Sequence, residues 1–248
     1  MVFYLGTHQV NHAKYFDRCI LSANRLRNRR SSFIVNDWIL DSGAFSNLLI
    51  HGKHIPLLEY VNIINRFKKC GKLKAVVIQD WMCEDIILKK TELSLNTHLH
   101  NTVRSYIDLK KMQEIYFKDI YIMPVLQGYS KESYLKCLNL YGDLLLKNQC
   151  IGLGSICKRN KNIKEIQDII FSIKKVRPDL NLHGFGLKYS ALMNQYINDN
   201  LYSADSMAWS FAARYEGKNA NDWRLALNYM KKIEQGNIQL SFDFMKKH

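Results

Sequence analysis

Three aspartates each follow a short apolar stretch of the chain: Asp41, Asp80 and Asp205. Gln127 and Gly128 follow a fourth stretch of the same kind. Paired carboxylates at the anomeric carbon of a sugar can divide the work, because one attacks as nucleophile while the other moves protons on the leaving and entering groups. No serine–histidine arrangement, phosphate loop or metal-ligand spacing competes with this set. The residues therefore favour chemistry at a sugar carbon, such as exchange of a base.

The elements that must position these residues alternate between short apolar runs and longer segments of helical period, as in βα units. The runs predicted as strands are Val2 to Leu5, Ser32 to Val35, Trp38 to Leu40, Leu73 to Ile78, Ile120 to Leu126, Cys150 to Leu153, Leu180 to His183 and Leu201 to Ala204. The segments predicted as helices are Leu57 to Cys70, Asn101 to Tyr116, Lys131 to Leu146, Ile163 to Val176 and Ala220 to Ile233.

A doubly wound open sheet fits this alternation as well as a barrel does. The polar and glycine residues, however, fall at the carboxyl end of one predicted strand after another. A closed barrel gathers all these ends on one face, whereas an open sheet spreads several of them too far apart to cooperate. The sequence therefore predicts an α/β fold, a TIM-like (β/α)8 barrel, as a single domain over residues 1–248.

The formal net charge of +14 favours a polyanionic partner, nucleic acid first, although the same lysines also serve to keep a surface soluble. No run of eighteen apolar residues occurs, and the first residues lack the features of a signal peptide. We therefore expect a cytoplasmic protein, in the host cytoplasm if a phage encodes it, with no membrane partner. The six cysteines form no Cys-x-x-Cys pair, which predicts free thiols.

Seven short motifs along the chain allow it to be compared with known families. They are Phe3 to His8, Asp41 to Phe45, Gln79 to Glu84, Val125 to Gly128, Gly152 to Cys157, His183 to Lys188 and Ser203 to Ser210. With them the chain resembles the tRNA-guanine transglycosylase superfamily, and more closely its DNA-modifying branch, the DpdA-like enzymes of phages and bacteria. The resemblance implies exchange of guanine in DNA for a free 7-deazaguanine base, preQ0-like, without a cofactor.

By resemblance, Asp205 is the nucleophile that attacks the sugar C1′ and displaces guanine, and Asp41 is the acid and base. Asp80 reads the guanine-like edge, while Gln127 and the Gly152 to Ser155 backbone hold the exocyclic oxygen. Further residues expected in the base pocket are Gly128, Gly152, Gly154, Ser155, Gly184, Gly186, Phe45, Trp81 and Trp209. The three aromatic side chains would stack on a base that has left the duplex, and for Gly154 we favour close approach to the base.

Two departures from the family pattern bear on zinc and on the substrate. Zinc-containing relatives carry a cysteine cluster after the nucleophile strand, whereas no cysteine follows Cys157 here, so we expect no zinc subdomain and no metal. The part after the last motif, residues 215–248, is short, which favours DNA over tRNA. A tRNA substrate and a catalytically silent nucleic-acid-binding barrel stay open as alternatives.

Basic residues predicted to contact phosphates are Arg29, Arg30, Lys158, Arg159, Lys188 and Arg214. The cluster from Arg25 to Arg30 also fits a solvated helix end. An aspartate after a strand is often only a helix cap or a loop acceptor, and a glycine there often only permits a turn. It is the joint placement of the aspartates that favours catalysis. The sequence leaves the exact deazapurine, the DNA context and the oligomeric state open.

Overall fold

A computed structural model describes residues 1–159 and 162–245, with side chains to residue 240. Its strands are β1 Val2–Gly6, β2 Arg18–Ser22, β3 Asp37–Asp41, β4 Lys72–Val77, β5 Ile122–Met123, β6 Val125–Leu126, β7 Cys150–Leu153, β8 Asn181–Gly184 and β9 Ser203–Ser206. Its helices are α1 Ala23–Leu26, α2 Ala44–His51, α3 Leu57–Phe67, α4 Asp85–Thr91, α5 Leu95–Tyr116, α6 Lys131–Tyr141, α7 Ile163–Val176, α8 Tyr189–Leu192, α9 Gln195–Asn200, α10 Ala208–Tyr215 and α11 Trp223–Met245. Short 3-10 helices span Val10–Tyr15, Gly142–Leu144 and Ile156–Arg159.

The strands form one parallel sheet in the order β5-β4-β3-β2-β1-β9-β8-β7-β6. Its two outer members, β5 and β6, are consecutive pieces of one extended segment that Pro124 interrupts. β5 pairs with β4 and β6 pairs with β7, so this segment brings the sheet round on itself. The predicted α/β barrel is thereby confirmed, and its fifth strand is counted as two because proline has no N–H to contribute to the ladder.

The core lies inside the barrel and between the strands and the surrounding helices. Helix α3 shows how a helix is fixed there: it buries Tyr60, Val61 and Ile64, and the Tyr60 hydroxyl donates to the Val77 carbonyl of β4 at 2.6 Å. Polar caps set several helix starts. The Ser94 side chain accepts from the Thr97 N–H at the start of α5, which satisfies one of the donors that a first turn leaves free.

One predicted strand, Ser32 to Val35, is wrong: this segment is an extended loop and β2 lies earlier, at Arg18–Ser22. The loop buries Phe33 and Val35 and leaves Ile34 75% exposed, so it has the two-residue period of a strand without a ladder. The apolar run in β2 is only three residues long, Cys19 to Leu21, and follows the charged Asp17 and Arg18, which hides its signal. Helix α6 was predicted to reach Leu146 but ends at Tyr141, before Gly142.

Candidate active site

A cavity of ≈ 260 Å³ opens at the carboxyl ends of the strands and is called the mouth cavity below. Asp41 at the end of β3, Asp80 after β4 and Asp205 on β9 all line it. Parallel pairing explains the convergence, because Ser22 lies opposite Asp41 and Tyr4 lies opposite Asp205 in the register of neighbouring strands. Three carboxylates that are distant in the sequence thus face one space, as nucleophile and proton-transfer chemistry requires.

Asp41 is held by the turn that joins β3 to α2. Gly43 has a φ of +74°, in the left-handed region that glycine adopts without steric cost, and its N–H donates to Asp41 Oδ2 at 3.0 Å. Burial, with a smaller contribution from the charge of Asp205, raises the pKa of Asp41 to about 6 against the lowering effect of the Gly43 and Ser22 hydrogen bonds. A carboxyl group with this pKa can both give and take a proton near neutral pH.

Asp80 is the inner end of a chain of buried hydrogen bonds. Its Oδ2 accepts from Gln127 Nε2, and Gln127 Oε1 accepts from the Ser155 hydroxyl at 2.8 Å. The Cys83 N–H donates to the same hydroxyl oxygen at 3.4 Å. Burial, with smaller contributions from the charges of Asp41 and Glu84, raises the pKa of Asp80 to about 7 although the Gln127 hydrogen bond lowers it.

Gln127 therefore lies behind Asp80, fully buried, rather than in the wall of the mouth cavity. Both of its polar atoms are engaged within the protein, so its amide direction is fixed by Ser155 on one side and by Asp80 on the other. In this geometry Gln127 can orient the Asp80 carboxyl group.

Asp205 has one carboxylate oxygen held by the protein. The Gly186 N–H donates to Oδ1 at 3.1 Å, and the Asp205 backbone carbonyl accepts from the Leu187 N–H at 3.0 Å. These two bonds come from the turn that follows β8, so that turn fixes the side chain and the backbone of the same residue. Asp205 reaches the mouth cavity while remaining largely buried.

Of the three aromatic residues predicted to stack on a base, only Phe45 lines the mouth cavity. Its ring carries the Lys158 ammonium 4.4 Å above the centroid. Trp81 is packed edge-on against His54 and His98, with centroids 5.0 and 5.3 Å away. Trp209 is buried, and its indole N–H donates to the Gly6 carbonyl at 2.8 Å, which ties α10 to β1.

Of the predicted pocket residues, Gly154 and Ser155 line the mouth cavity, whereas the other glycines do not. A Cβ at Gly154 would lie 2.1 Å from Gln127 Nε2, so the group that approaches Gly154 closely is the Gln127 amide. A Cβ at Gly152 would lie 2.2 Å from the Phe185 ring, and one at Gly184 would lie 2.7 Å from Leu187. Gly128 packs against the start of α6. Gly186 contributes its N–H to Asp205.

Several residues that line the mouth cavity were not singled out from the sequence. They are Gly6, Thr7, His8, Ile20, Ser22, Gly43, Ala44, Ser46, Val77, Met82, Cys157, Phe185 and Met207. Most of them lie within or next to the motifs, but only the strand register shows which of their side chains face inward. His8 also lines the cavity, and burial, Arg25 and Arg214 all lower its pKa, which favours the neutral imidazole.

A family model matches residues 1–223, most of the chain, and its description is DpdA, DeoxyPurine in DNA protein A. The chain belongs to the DpdA family. No curated protein matches it at a significant level. Membership of the DpdA family indicates an enzyme, a transglycosylase that acts in DNA modification, with DNA as its substrate. The resemblance drawn from the sequence motifs is confirmed by this match.

The basic residues of this DpdA-family chain lie in different parts of the barrel. Lys158 and Arg159 border a second cavity of ≈ 470 Å³ beside the mouth cavity, and the buried Arg159 donates to the carbonyl oxygens of Ser155 and Tyr129. Lys188, which precedes α8, and Arg214, in the last turn of α10, are exposed after strand ends on the cavity side.

Arg29 and Arg30 follow α1 on the path back to the start of β3. Arg66, in the last turn of α3, donates to the Arg29 carbonyl at 2.8 Å, so Arg29 lies near the end of α3 that leads into β4. The Arg29 guanidinium donates to the Ser31 and Ser32 carbonyls. The structure does not bring these two arginines to the mouth cavity.

Within the described ranges 1–159 and 162–245, no three His, Cys, Asp or Glu side chains are grouped so that they could hold a metal ion. None of the helices in these ranges combines the length and the apolar character that crossing a bilayer would need.

Proposed function

We propose that the protein exchanges guanine in DNA for a free 7-deazaguanine base through a covalent aspartyl intermediate. The proposal is carried by one observation: Asp41, Asp80 and Asp205 line one cavity, and burial raises the pKa of Asp41 to about 6 and of Asp80 to about 7. Separate environments for neighbouring carboxyl groups are what lets one act as nucleophile and another as acid and base.

In the proposed first step, Asp205 attacks C1′ of the target deoxyguanosine and the bond from C1′ to the guanine N9 breaks. Asp41, protonated in a large fraction of molecules near pH 6, gives its proton to the departing base. In the second step Asp41 takes the N9 proton of the incoming 7-deazaguanine, whose nitrogen attacks C1′ while the electron pair of the ester bond returns to Asp205. No redox change and no nucleotide hydrolysis are needed.

Asp80 is proposed to accept from the ring N–H and the exocyclic amino group of the base, held in direction by Gln127. Phe45 supports the proposal of base stacking, because it lines the mouth cavity. Lys158, Lys188 and Arg214 are proposed to contact phosphates of the strand around the extruded nucleotide, in keeping with the net charge of +14.

The test is incubation of the protein with duplex DNA and a labelled 7-deazaguanine base, followed by measurement of label in the DNA. Incorporation is expected with the unaltered chain, is lost in Asp205→Ala and Asp41→Asn, and is retained in Asp119→Asn, an exposed aspartate used as control. A parallel incubation with tRNA separates the two polymers. Tight DNA binding without any incorporation would favour a silent binding barrel instead.

A further inference from the structure

His183 lies on β8 directly beneath the proposed nucleophile and is completely buried. The register of β8 and β9 places it opposite Ser203, two residues before Asp205. Its Nδ1 is 2.8 Å from Ser203 Oγ, and its Nε2 is 3.4 Å from Asp205 Oδ1. Serine, histidine and aspartate thus form a row inside the barrel that ends at the mouth cavity.

The direction of the hydrogen bonds in this row follows from the tautomer of His183. In the tautomer in which the Ser203 hydroxyl donates to Nδ1, the ring proton is on Nε2 and points toward Asp205. Nε2 is buried and makes no hydrogen bond within the described residues, because at 3.4 Å it stops short of one. A buried donor without a hydrogen-bond partner destabilises the fold. Tyr4 and Phe185 pack against the His183 ring, which explains why the ring is buried. This packing does not explain why Nε2 lies beside the Asp205 carboxylate.

Oδ1 of Asp205 also accepts from the Gly186 N–H at 3.1 Å. Within the part of the chain that the structure describes, the two groups seen to approach the carboxylate, His183 and Gly186, address the same oxygen, and Oδ2 is the oxygen available for attack on a sugar carbon. Hydrogen bonds around a reacting group are often long in the empty site and shorten when charge develops. The second step of the proposed reaction develops such charge, because the ester bond between Oδ2 and C1′ breaks and its electron pair returns to Asp205.

We infer that His183 is a positioning residue for Asp205: with Gly186 it holds Oδ1, directs Oδ2 toward the sugar, and stabilises the carboxylate when it leaves C1′. The inference rests on the proposed function. Removal of the donor affects the two steps differently, since a less stabilised carboxylate is a poorer leaving group but not a weaker nucleophile. The covalent enzyme–DNA intermediate should then persist.

The experiment measures the two steps separately. The protein is mixed with labelled duplex DNA, the covalent adduct is counted on a denaturing gel, and 7-deazaguanine is then added to follow adduct resolution. His183→Phe, which keeps a ring without donors, is expected to slow resolution by about a hundredfold and formation much less. His183→Gln, which keeps an N–H near the position of Nε2, should recover most of the resolution rate.

Ser203→Ala removes the hydroxyl that orients the ring, together with its hydrogen bond to Cys150, and it is expected to slow adduct resolution by a smaller factor than His183→Phe does. It carries the test if His183→Phe does not fold. Resolution at the unaltered rate in these variants overturns the inference, as does an equal loss in both steps that His183→Gln does not repair. Absence of any adduct and any exchange with the unaltered chain instead overturns the proposed function.

Discussion

At the scale of single residues, the mouth cavity is defined by what burial does to two carboxyl groups. Asp41 and Asp80 are desolvated and share their space with other carboxylates, so their protonated forms persist to about pH 6 and pH 7. A surface aspartate would be ionised throughout this range. The proposed proton transfer depends on these raised pKa values, and so does the change of the free energy of unfolding with pH.

Asp80→Asn is expected to stabilise the protein at high pH. Because the folded-state pKa of Asp80, about 7, lies above its ordinary value of 3.8, the folded protein binds more protons than the unfolded chain between about pH 4 and pH 7. The free energy of unfolding therefore falls as pH rises through this window, by up to about 4 kcal/mol for this group. Thermal unfolding from pH 4 to pH 8.5 should show a higher Tm for the variant at pH 8.5 and little difference at pH 4. The exposed Asp119→Asn serves as control, and parallel curves for Asp80→Asn and the unaltered protein would contradict the account.

Gln127→Leu is expected to move the acidic limb of the exchange rate to higher pH. The Gln127 hydrogen bond lowers the pKa of Asp80, so its loss leaves the carboxyl protonated and unable to accept from the base. We expect a loss of about tenfold at pH 6.5 and a smaller loss at pH 8.5. Ser155→Ala removes the hydrogen bonds of the Ser155 hydroxyl with Gln127 and Cys83 but keeps the one between Gln127 and Asp80, so it should shift the profile less. Equal losses at both pH values would show that Gln127 acts in another way.

Residue types were predictable here and side-chain directions were not. Asp41, Asp80 and Asp205 could be singled out because aspartates that follow apolar runs are visible in the sequence. The burial of Gln127 behind Asp80, the packing of Trp81 between two histidines and the approach of His183 to Asp205 depend on strand register and on which face each side chain takes. Neither property can be read from one sequence.

At the scale of elements, the strand ends determine what the mouth cavity contains. Strands β7 and β8 reproduce their predicted runs almost residue for residue, since their apolar stretches end in glycine. Strand β2 was missed because its apolar run is only three residues long and follows a charged pair, and α2 and α10 were missed because each is only two turns long. Their residues still shape the cavity, through Phe45 on α2 and through Trp209, which anchors α10.

Gly154→Ala, directly after β7, is expected to lower the rate of base exchange. The new Cβ would lie 2.1 Å from Gln127 Nε2, so the buried amide must move and its hydrogen bond to Asp80 weakens. Overpacking of this kind costs about 1–3 kcal/mol, and we expect exchange to fall at least tenfold. Gly236→Ala is the matched control, because its Cβ would meet only the flexible end of Met193 and alanine favours the helix α11. Equal activity of the two variants, measured as incorporated label, would contradict a role for this close approach.

At the scale of the whole molecule, one parallel barrel and a positive net charge place a small cavity under an electrostatic field that attracts a polyanion. The barrel could be predicted because polar residues recur at successive strand ends, and an open sheet could not have united them. That residues 1–248 act as one domain stays a prediction. Which basic residues meet DNA could not be read from the sequence, because lysine and arginine are spread along the whole chain.

The salt dependence of DNA binding by an Arg214 variant tests whether DNA is bound at the rim of the mouth cavity. It is exposed on α10, and its charge is close enough to His8, which lines the mouth cavity, to lower the pKa of that histidine. If Arg214 contacts one phosphate beside the extruded nucleotide, Arg214→Gln should reduce the slope of log binding constant against log salt concentration by about 0.9, for every duplex sequence alike. Lys118→Gln, an exposed lysine before β5 on the opposite side of the barrel, should leave the slope unchanged. Titration of labelled duplexes at several salt concentrations gives both slopes, and an equal reduction in the two variants would mean that DNA is bound by net charge rather than at the rim of the mouth cavity.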